Sequence, residues 1–314
     1  MDQINLNQTL STIHTFEDYE KLKLHIEEDL ARAIIQKHQL PPATLNLFAD
    51  GTNIVFAYGE RVIKIFPPFH QSQFESERLV LKHLDGKLSV KTPSLEHEGI
   101  LFGWPYLIMS KLQGTNLETL WQAMSHHNKI IILRELGKLI REVHALPTEG
   151  LEAIDCHWPR FLAKQIQNCI KHHQSKGLLT TLMPQLPTYL NSIEEVLPEI
   201  KKPVILTGEY TPMNFLVEQI DDLWHIHGLI DFGDAMLGLR EYDLIGPGAF
   251  LIQGDKQLLR EFLLAYGYAP HELTSILSYQ LNALMLLHQY SNLNVQVRIA
   301  NWKSKVNSLK DLES

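Results

Sequence analysis

At 314 residues with 45% hydrophobic content, the chain is long enough to bury a large core, fits two lobes better than one compact unit, and is not a disordered chain. Its formal net charge of -8, without any Lys/Arg run, argues against a nucleic-acid backbone as partner and suits a cationic small molecule better. Cys156 and Cys169 offer at most one bridge and no metal-ligand spacing, the opening MDQINLNQTL has no secretion signal, and no apolar run reaches membrane-span length, so a soluble protein of the reducing cytoplasm is expected.

Apolar residues at Tyr19, Leu22, Ile26, Leu30, Ala33 and Ile34 recur at helical spacing and predict a helix over residues 16–39, ended by Pro41-Pro42. Residues 1–42 therefore read as an N-terminal helical extension. Strands follow in TLNLFADGTNIVFAYGERVIKIF, broken at Asp50-Gly51 and Gly59-Glu60, where the turn chemistry is strong. Asp50-Gly51-Thr52-Asn53 could lay backbone N–H groups over a triphosphate, but with one glycine it reads more simply as a hairpin turn. Val62-Ile63-Lys64-Ile65-Phe66 sets a lone lysine in an apolar strand, where on its own it would alternate toward solvent. A helix over Gln71–Leu84 puts Phe74, Glu77, Leu81 and Leu84 on one stripe, so Glu77 lies on or beside the buried face, with Glu75 its rival. The apolar run 104–109 leads into Ser110-Lys111-Leu112-Gln113-Gly114. Two helical patterns over 117–146 split near Ser125-His126-His127-Asn128 and end at His144-Ala145-Leu146-Pro147. Two or three helices without a recognisable motif fill 151–200. Asp155-Cys156-His157-Trp158, His172-His173 and His225/His227 read as cap and packing residues, because no third partner stands at metal-ligand spacing.

The densest chemistry lies in residues 203–238, PVILTGEYTPMNFLVEQIDDLWHIHGLIDFGDAMLG. An apolar run, Val204-Ile205-Leu206, stops at Thr207 and Gly208, and a polar loop continues to Asn214. Strands over 215–218 and 224–230 are joined through Gln219, Ile220, Asp221 and Asp222. Paired about a centre between Asp222 and Leu223, they bring Asn214 and Asp231 together at the open end. Both are hard oxygen ligands that suit Mg2+, and Glu209 precedes Asn214 by five residues on the same loop. A loop acid, an asparagine five residues on, a short hairpin and Asp-Phe-Gly make the layout of a kinase catalytic centre. On these motifs the sequence resembles the aminoglycoside phosphotransferase and choline kinase-like family, whose catalytic loop reads His-Gly-Asp-x-x-x-x-Asn. Asn214 and Asp231 match directly. Thr207 stands where the family usually has histidine, and Glu209 where it usually has the catalytic aspartate.

The resemblance implies an α+β, two-lobed protein-kinase-like fold, with a small β-rich N-lobe over residues 43–110 and a larger, mainly helical C-lobe over 111–314. It implies that Lys64 holds the phosphates of ATP or GTP, that Glu77 orients Lys64, and that Gly51, Thr52 and Asn53 cover the phosphates. The run into Ser110 and Leu112 is similar to the hinge whose backbone reads the adenine edge. By the same resemblance Asn214 and Asp231 bind Mg2+, Glu209 accepts or orients the acceptor proton, and His144 packs under the catalytic loop. Asp243, in Tyr242-Asp243-Leu244, braces that loop from below. Only eleven residues separate Asp231 from Asp243, too few for the activation segment with which protein kinases dock a polypeptide. The expected acceptor is therefore a small hydroxyl compound, an aminoglycoside-like cation first, with Asp234 and Glu241 as its acidic contacts. About three amphipathic helices over 256–312 would wall its cleft. Two alternatives stay open: a nucleotide-binding module without turnover, to which the departure at Glu209 points, and a kinase for an endogenous amino alcohol, sugar or nucleoside.

Overall fold

A computed structural model describes residues 3–48, 51–191, 193–200, 202–299 and 301–313, without the side chains of 3–5 and 22–25. Asp50 of the expected covering turn and the Leu22 side chain of the expected stripe lie outside the described residues. The chain divides into two compact units, one made of Met1–Lys87, Lys91–Gln113 and Asp231–Asp234, the other of Leu88–Val90, Gly114–Ile230 and Ala235–Ser314.

In the first unit β1 (Leu45–Leu47), β2 (Ile54–Tyr58), β3 (Arg61–Ile65), β4 (Leu95–Leu101) and β5 (Trp104–Ser110) form one antiparallel sheet in the order β1-β2-β3-β5-β4. Side chains alternate across a strand, so Ile63 and Ile65 go to one face and Lys64 to the other. The isoleucine face is covered by α1 (Gln3–Leu10) and α2 (Phe16–Lys37), whose Leu6, Leu10, Ile26, Leu30 and Ile34 are buried in one core with Ile63, Ile65, Trp104, Tyr106 and Ile108. Residues 1–42, read from sequence as an extension, thus share the core of the strands. A reciprocal cap starts α2: the Asp18 N–H donates to the Thr15 hydroxyl at 3.2 Å and the Thr15 N–H to the Asp18 carboxylate at 3.0 Å. On the lysine face, α3 (Gln71–Leu84) packs against β4 and β5 and buries Phe74, Glu77, Val80, Leu81 and Leu84. β4 was not legible in advance, because as an edge strand it leaves Glu96, His97 and Glu98 exposed.

The second unit is mainly helical. After β6 (Thr115–Asn116) and α4 (Leu117–Trp121), Ser125 caps α5 (His126–Ala145), its hydroxyl accepting from the Asn128 N–H at 3.2 Å. The amphipathic α5 lies against the helix Lys256–Tyr266, and the two come so close at Gly137 that a Cβ there would sit 2.6 Å from the Phe262 carbonyl oxygen and 2.8 Å from the Tyr266 nitrogen. Gly137→Ala is therefore expected to destabilise the protein by about 1–3 kcal/mol, a drop of several degrees in a thermal melt. A melt indistinguishable from the parent's would mean that the helices part without loss. α6 (Trp158–Ser175) and the helix Ser275–Leu287 contribute to a second core, which buries Trp158, Leu162, Leu182, Leu186, Leu284 and Leu287. Beyond it the expected third helix is two short ones, Leu293–Gln296 and Trp302–Lys305. No described helix is long and apolar enough to cross a membrane.

Four more strands complete this unit: β7 (Val204–Leu206), β8 (Phe215–Ile220), β9 (Leu223–Leu229) and β10 (Met236–Gly238), arranged as β6-β8-β9 and β10-β7. The β8–β9 turn is the dipeptide Asp221-Asp222, both residues at left-handed φ (48° and 66°), as a tight two-residue hairpin requires. The strands are thus longer and the turn shorter than the sequence suggests. The register also shifts between Leu216 and Val217, which face Gly228 and Ile226. As a result the Asn214 carbonyl accepts the Ile230 N–H at 3.0 Å, so Asn214 pairs with the residue before Asp231.

Candidate active site

Strand alternation and helix periodicity together make the first cluster. β3 sends Lys64 onto the face covered by α3, and Glu77 is the buried carboxylate of that helix. The Lys64 Nζ lies 2.6 Å from Glu77 Oε2 and donates to Asp231 Oδ1 at 2.9 Å, with the ammonium and Glu77 both buried. Burial pulls the lysine pKa down, but Asp231 and Glu77 outweigh it and hold the group above the ordinary lysine range. Burial would raise Asp231, yet the Lys64 ammonium and the Gly233 N–H, which donates to Oδ1 at 3.2 Å, keep it below the usual carboxylate range. Burial pushes Glu77 above its usual range against the pull of Lys64, while Asp231 adds to the rise. Glu75, the rival on the same helix, pairs with Arg78 at 2.7 Å instead.

The expected covering turn is tied to α3. Asn53 Nδ2 donates to Gln73 Oε1 at 3.1 Å and its Oδ1 meets His70 Nδ1 at 2.9 Å, so what Asn53 can offer a phosphate is its backbone. Gly51 sits at φ +133°, which favours glycine, and both it and Thr52 are exposed. Ser110, expected at the adenine edge, donates its N–H to the Ser94 carbonyl at 2.9 Å, because β5 is still paired there, so that N–H is taken. Leu112, beyond the strand, keeps its backbone groups without a hydrogen-bond partner among the described residues. Asp234 accepts from Gln73 Nε2 at 3.3 Å. Gln73, which joins the turn to Asp234, carried no sequence signal, since a polar residue on a helix start is ordinary.

In the second unit the loop between β7 and β8 rests on buried groups. Asp243 accepts the Thr207 N–H at 2.9 Å, the Gly208 N–H at 3.1 Å and His144 Nε2 at 3.2 Å. With Nε2 donating to Asp243, His144 Nδ1 is left to accept from the Tyr266 hydroxyl at 2.9 Å. Gly208 takes a left-handed φ of +83°. The Tyr210 backbone lies on Gly246, where a Cβ would be 2.9 Å from the Tyr210 carbonyl oxygen. The Glu209 carbonyl accepts from both the Thr211 N–H at 2.8 Å and Asn214 Nδ2 at 2.9 Å, which fixes the backbone that carries the Glu209 carboxylate. His288, another residue without a motif, stacks on Tyr242 at 4.8 Å. Glu241, expected as an acidic contact for the acceptor, is a correction. It is buried, with Arg240 Nε donating to it at 2.9 Å and the Tyr268 hydroxyl at 3.0 Å.

Asn214 in the second unit and Asp231 in the first each keep a hard oxygen of the kind a divalent cation takes. With its amide nitrogen bonded to the loop, the buried Asn214 has its oxygen left to offer, and both hydrogen bonds to Asp231 end on Oδ1, which leaves Oδ2. Among the described residues no cluster of three His, Cys, Asp or Glu could hold a metal. A cavity of about 320 Å3 in the second unit is lined in part by Glu209. A larger one, about 590 Å3, between Lys256–Tyr266 and Ser275–Leu287, touches none of the sequence-predicted site residues.

The phosphotransferase enzyme family matches residues 49–275. Among solved structures, wild-type aminoglycoside 2'-phosphotransferase-IIIa in its GDP complex aligns with a TM-score of 0.68 at 19% identity, over 91% of this chain and 97% of that one. Aminoglycoside phosphotransferase APH(2'')-Ib bound to ADP aligns at 0.59 and 17%, over 90% and 97%. Aminoglycoside phosphotransferase APH(3'')-Id from Streptomyces rimosus aligns at 0.55 and 15%, over 83% and 98%. At such identities the likeness to solved structures is one of fold, a protein-kinase-like α+β architecture. The family match, by contrast, runs across most of the chain from the covering turn to the helix after Asp243, and on it the chain belongs to the phosphotransferase enzyme family.

Proposed function

We propose that the protein is a kinase that transfers the γ-phosphoryl group of ATP or GTP to a hydroxyl of a small molecule. The observation that carries this reading is the buried ammonium of Lys64 between Glu77 and Asp231. An ammonium held charged by two carboxylates is a fixed positive pole for phosphate oxygens, and Glu77 orients it. The backbone of Gly51, Thr52 and Asn53 covers the phosphates, and Leu112 offers its N–H and C=O to the base edge. Asn214 and Asp231 hold Mg2+ when it is bound, and its charge then neutralises that developing on the transferred group. The acceptor oxygen forms the new bond to phosphorus as the bond from phosphorus to the β–γ bridging oxygen breaks. The hydroxyl proton goes to the Glu209 carboxylate, and the nucleoside diphosphate leaves. A glutamate is one methylene longer than the family's usual aspartate, and this reading requires the loop backbone, which lies against Gly246 at Tyr210, to set the carboxylate back by that length.

The test is consumption of magnesium ATP against aminoglycosides, hygromycin-like compounds, choline and common sugars, with Asp231→Ala as the inactive control. In Glu209→Gln, turnover should fall about 10²- to 10⁴-fold, the range of general-base catalysis, with nucleotide affinity unchanged. Unchanged turnover would remove Glu209 from the chemistry. Nucleotide binding without turnover in the parent across every acceptor would support a binding module instead. The names of the solved relatives make an aminoglycoside the first acceptor to try, but the walls of the cavity favour another class.

A further inference from the structure

The cavity on Glu209, at about 320 Å3, is near the small end for small-molecule sites, which span roughly 300–1,000 Å3. Its charge is not that of a site for a polycation. Two carboxylate residues line it, Glu209 and Asp243. Asp243 is buried and already accepts from Thr207, Gly208 and His144. Lys176 stands on the same wall. A second cation is close by, since Arg298 sits over the ring of Phe250, a lining residue, at 5.2 Å, and pairs with Glu118 at 2.9 Å. His288, also on the wall, is pulled down to about 4 by burial and is neutral near pH 7. A ligand with several ammonium groups would find its charges largely unmatched and would face Lys176.

The uncharged part of the wall is mixed, with Thr211, Gln289, Asn292 and Gln296 beside apolar residues, and the apolar share is in part open. Met213, Tyr290 and Val295 are 51%, 50% and 58% exposed, and all three line this one cavity. Single exposed apolar residues are ordinary on a protein surface, whereas several gathered at one concavity mark a contact surface. Tyr242 and His288, which stack at 4.8 Å, add aromatic surface to the same lining.

We infer that the acceptor is an uncharged hydroxyl compound with an apolar ring face, seated against Met213, Tyr290 and Val295, with the hydroxyl directed to Glu209. The inference rests on the kinase reading for the role of Glu209, but its test does not need turnover. The full chain is titrated calorimetrically, without nucleotide, with phenyl β-D-glucoside and thymidine as neutral probes and kanamycin as the polycation. Tyr290→Ser and Val295→Ser are the variants, both at exposed positions where the fold should survive. At least one neutral probe should bind at millimolar concentration or below, kanamycin should bind more weakly than that probe, and Tyr290→Ser should weaken the neutral probe about tenfold, as loss of an aromatic contact does. Kanamycin binding more tightly than both neutral probes would overturn the inference. So would absence of binding by both neutral probes, or neutral binding unchanged in both variants. Because this titration reads binding without nucleotide, failure of the kinase reading would appear separately, in the turnover assay.

Discussion

A Lys64→Met variant is expected to lose nucleotide binding and about 3–5 kcal/mol of stability, the usual cost of removing one partner of a buried ion pair. Glu77 is buried and would keep its carboxylate with no cation beside it. The loss should depend on pH with a definite sign. In the parent, the raised Lys64 pKa makes its contribution complete below the ordinary lysine range, and it is lost only as pH climbs through the higher folded value. The lowered Asp231 pKa makes its contribution complete above the ordinary carboxylate range, and it is lost as pH falls through the depressed folded value. Glu77 works the other way: its raised carboxyl holds a proton in the folded state that the unfolded chain has released, so it subtracts stability as pH rises through that window. Without Lys64 the largest opposing influence on Glu77 is gone and the window widens. Urea denaturation from about pH 5 to about pH 8 should therefore show the variant losing stability more steeply than the parent as pH rises. A second substitution, Glu77→Gln, should remove most of that slope. A variant with no steeper slope than the parent would mean that Glu77 is not the buried partner of Lys64 in solution.

The second large effect is expected at Asp243. In Asp243→Ala the Thr207 and Gly208 N–H groups and His144 Nε2 lose one shared acceptor. Each buried donor left unsatisfied costs about 1–3 kcal/mol, so the total should be several kcal/mol. Turnover should fall further than stability alone explains, because these bonds set the backbone immediately before Glu209, the proposed proton acceptor, and a shift of about 1 Å at such a group can cost about 10²-fold. Asp243→Asn keeps the shape and should recover part of the stability, although its NH2 then confronts a donor. Amide exchange at Thr207 and Gly208 gives the direct reading: protection should drop in Asp243→Ala, and intact protection with full turnover would show that the loop stands without this carboxylate.

What was legible in the sequence was local. Helix periodicity put Glu77 at the buried face. Lys64 was legible only through its order with Glu77, Asn214 and Asp231, since alone it would have turned to solvent, and the order of Glu209, Asn214 and Asp231 is a matter of spacing. The rest depended on partners far along the chain. Glu241 looked like a surface acid until Tyr268, twenty-seven residues on, donated to it. Ser110 looked like open hinge because its partner Ser94 belongs to a stretch whose edge strand is polar and exposed. The hairpin's centre was misjudged because the turn is only Asp221-Asp222, and the register shift between Leu216 and Val217, invisible in composition, then sets Asn214 opposite Ile230. Gly246 gave no signal at all, since nothing in the sequence reveals that the Tyr210 carbonyl lies against it.

The close approach at Gly137 has a reach beyond packing. The helix it admits carries Tyr266, whose hydroxyl donates to His144 on α5, and His144 in turn donates to the carboxylate that holds Thr207 and Gly208. The spacing of two scaffold helices is thereby transmitted, through three hydrogen-bonded side chains, to the height of the loop bearing Glu209. A methyl group added at Gly137 would therefore be expected to shift the alignment of the carboxylate proposed to take the acceptor proton.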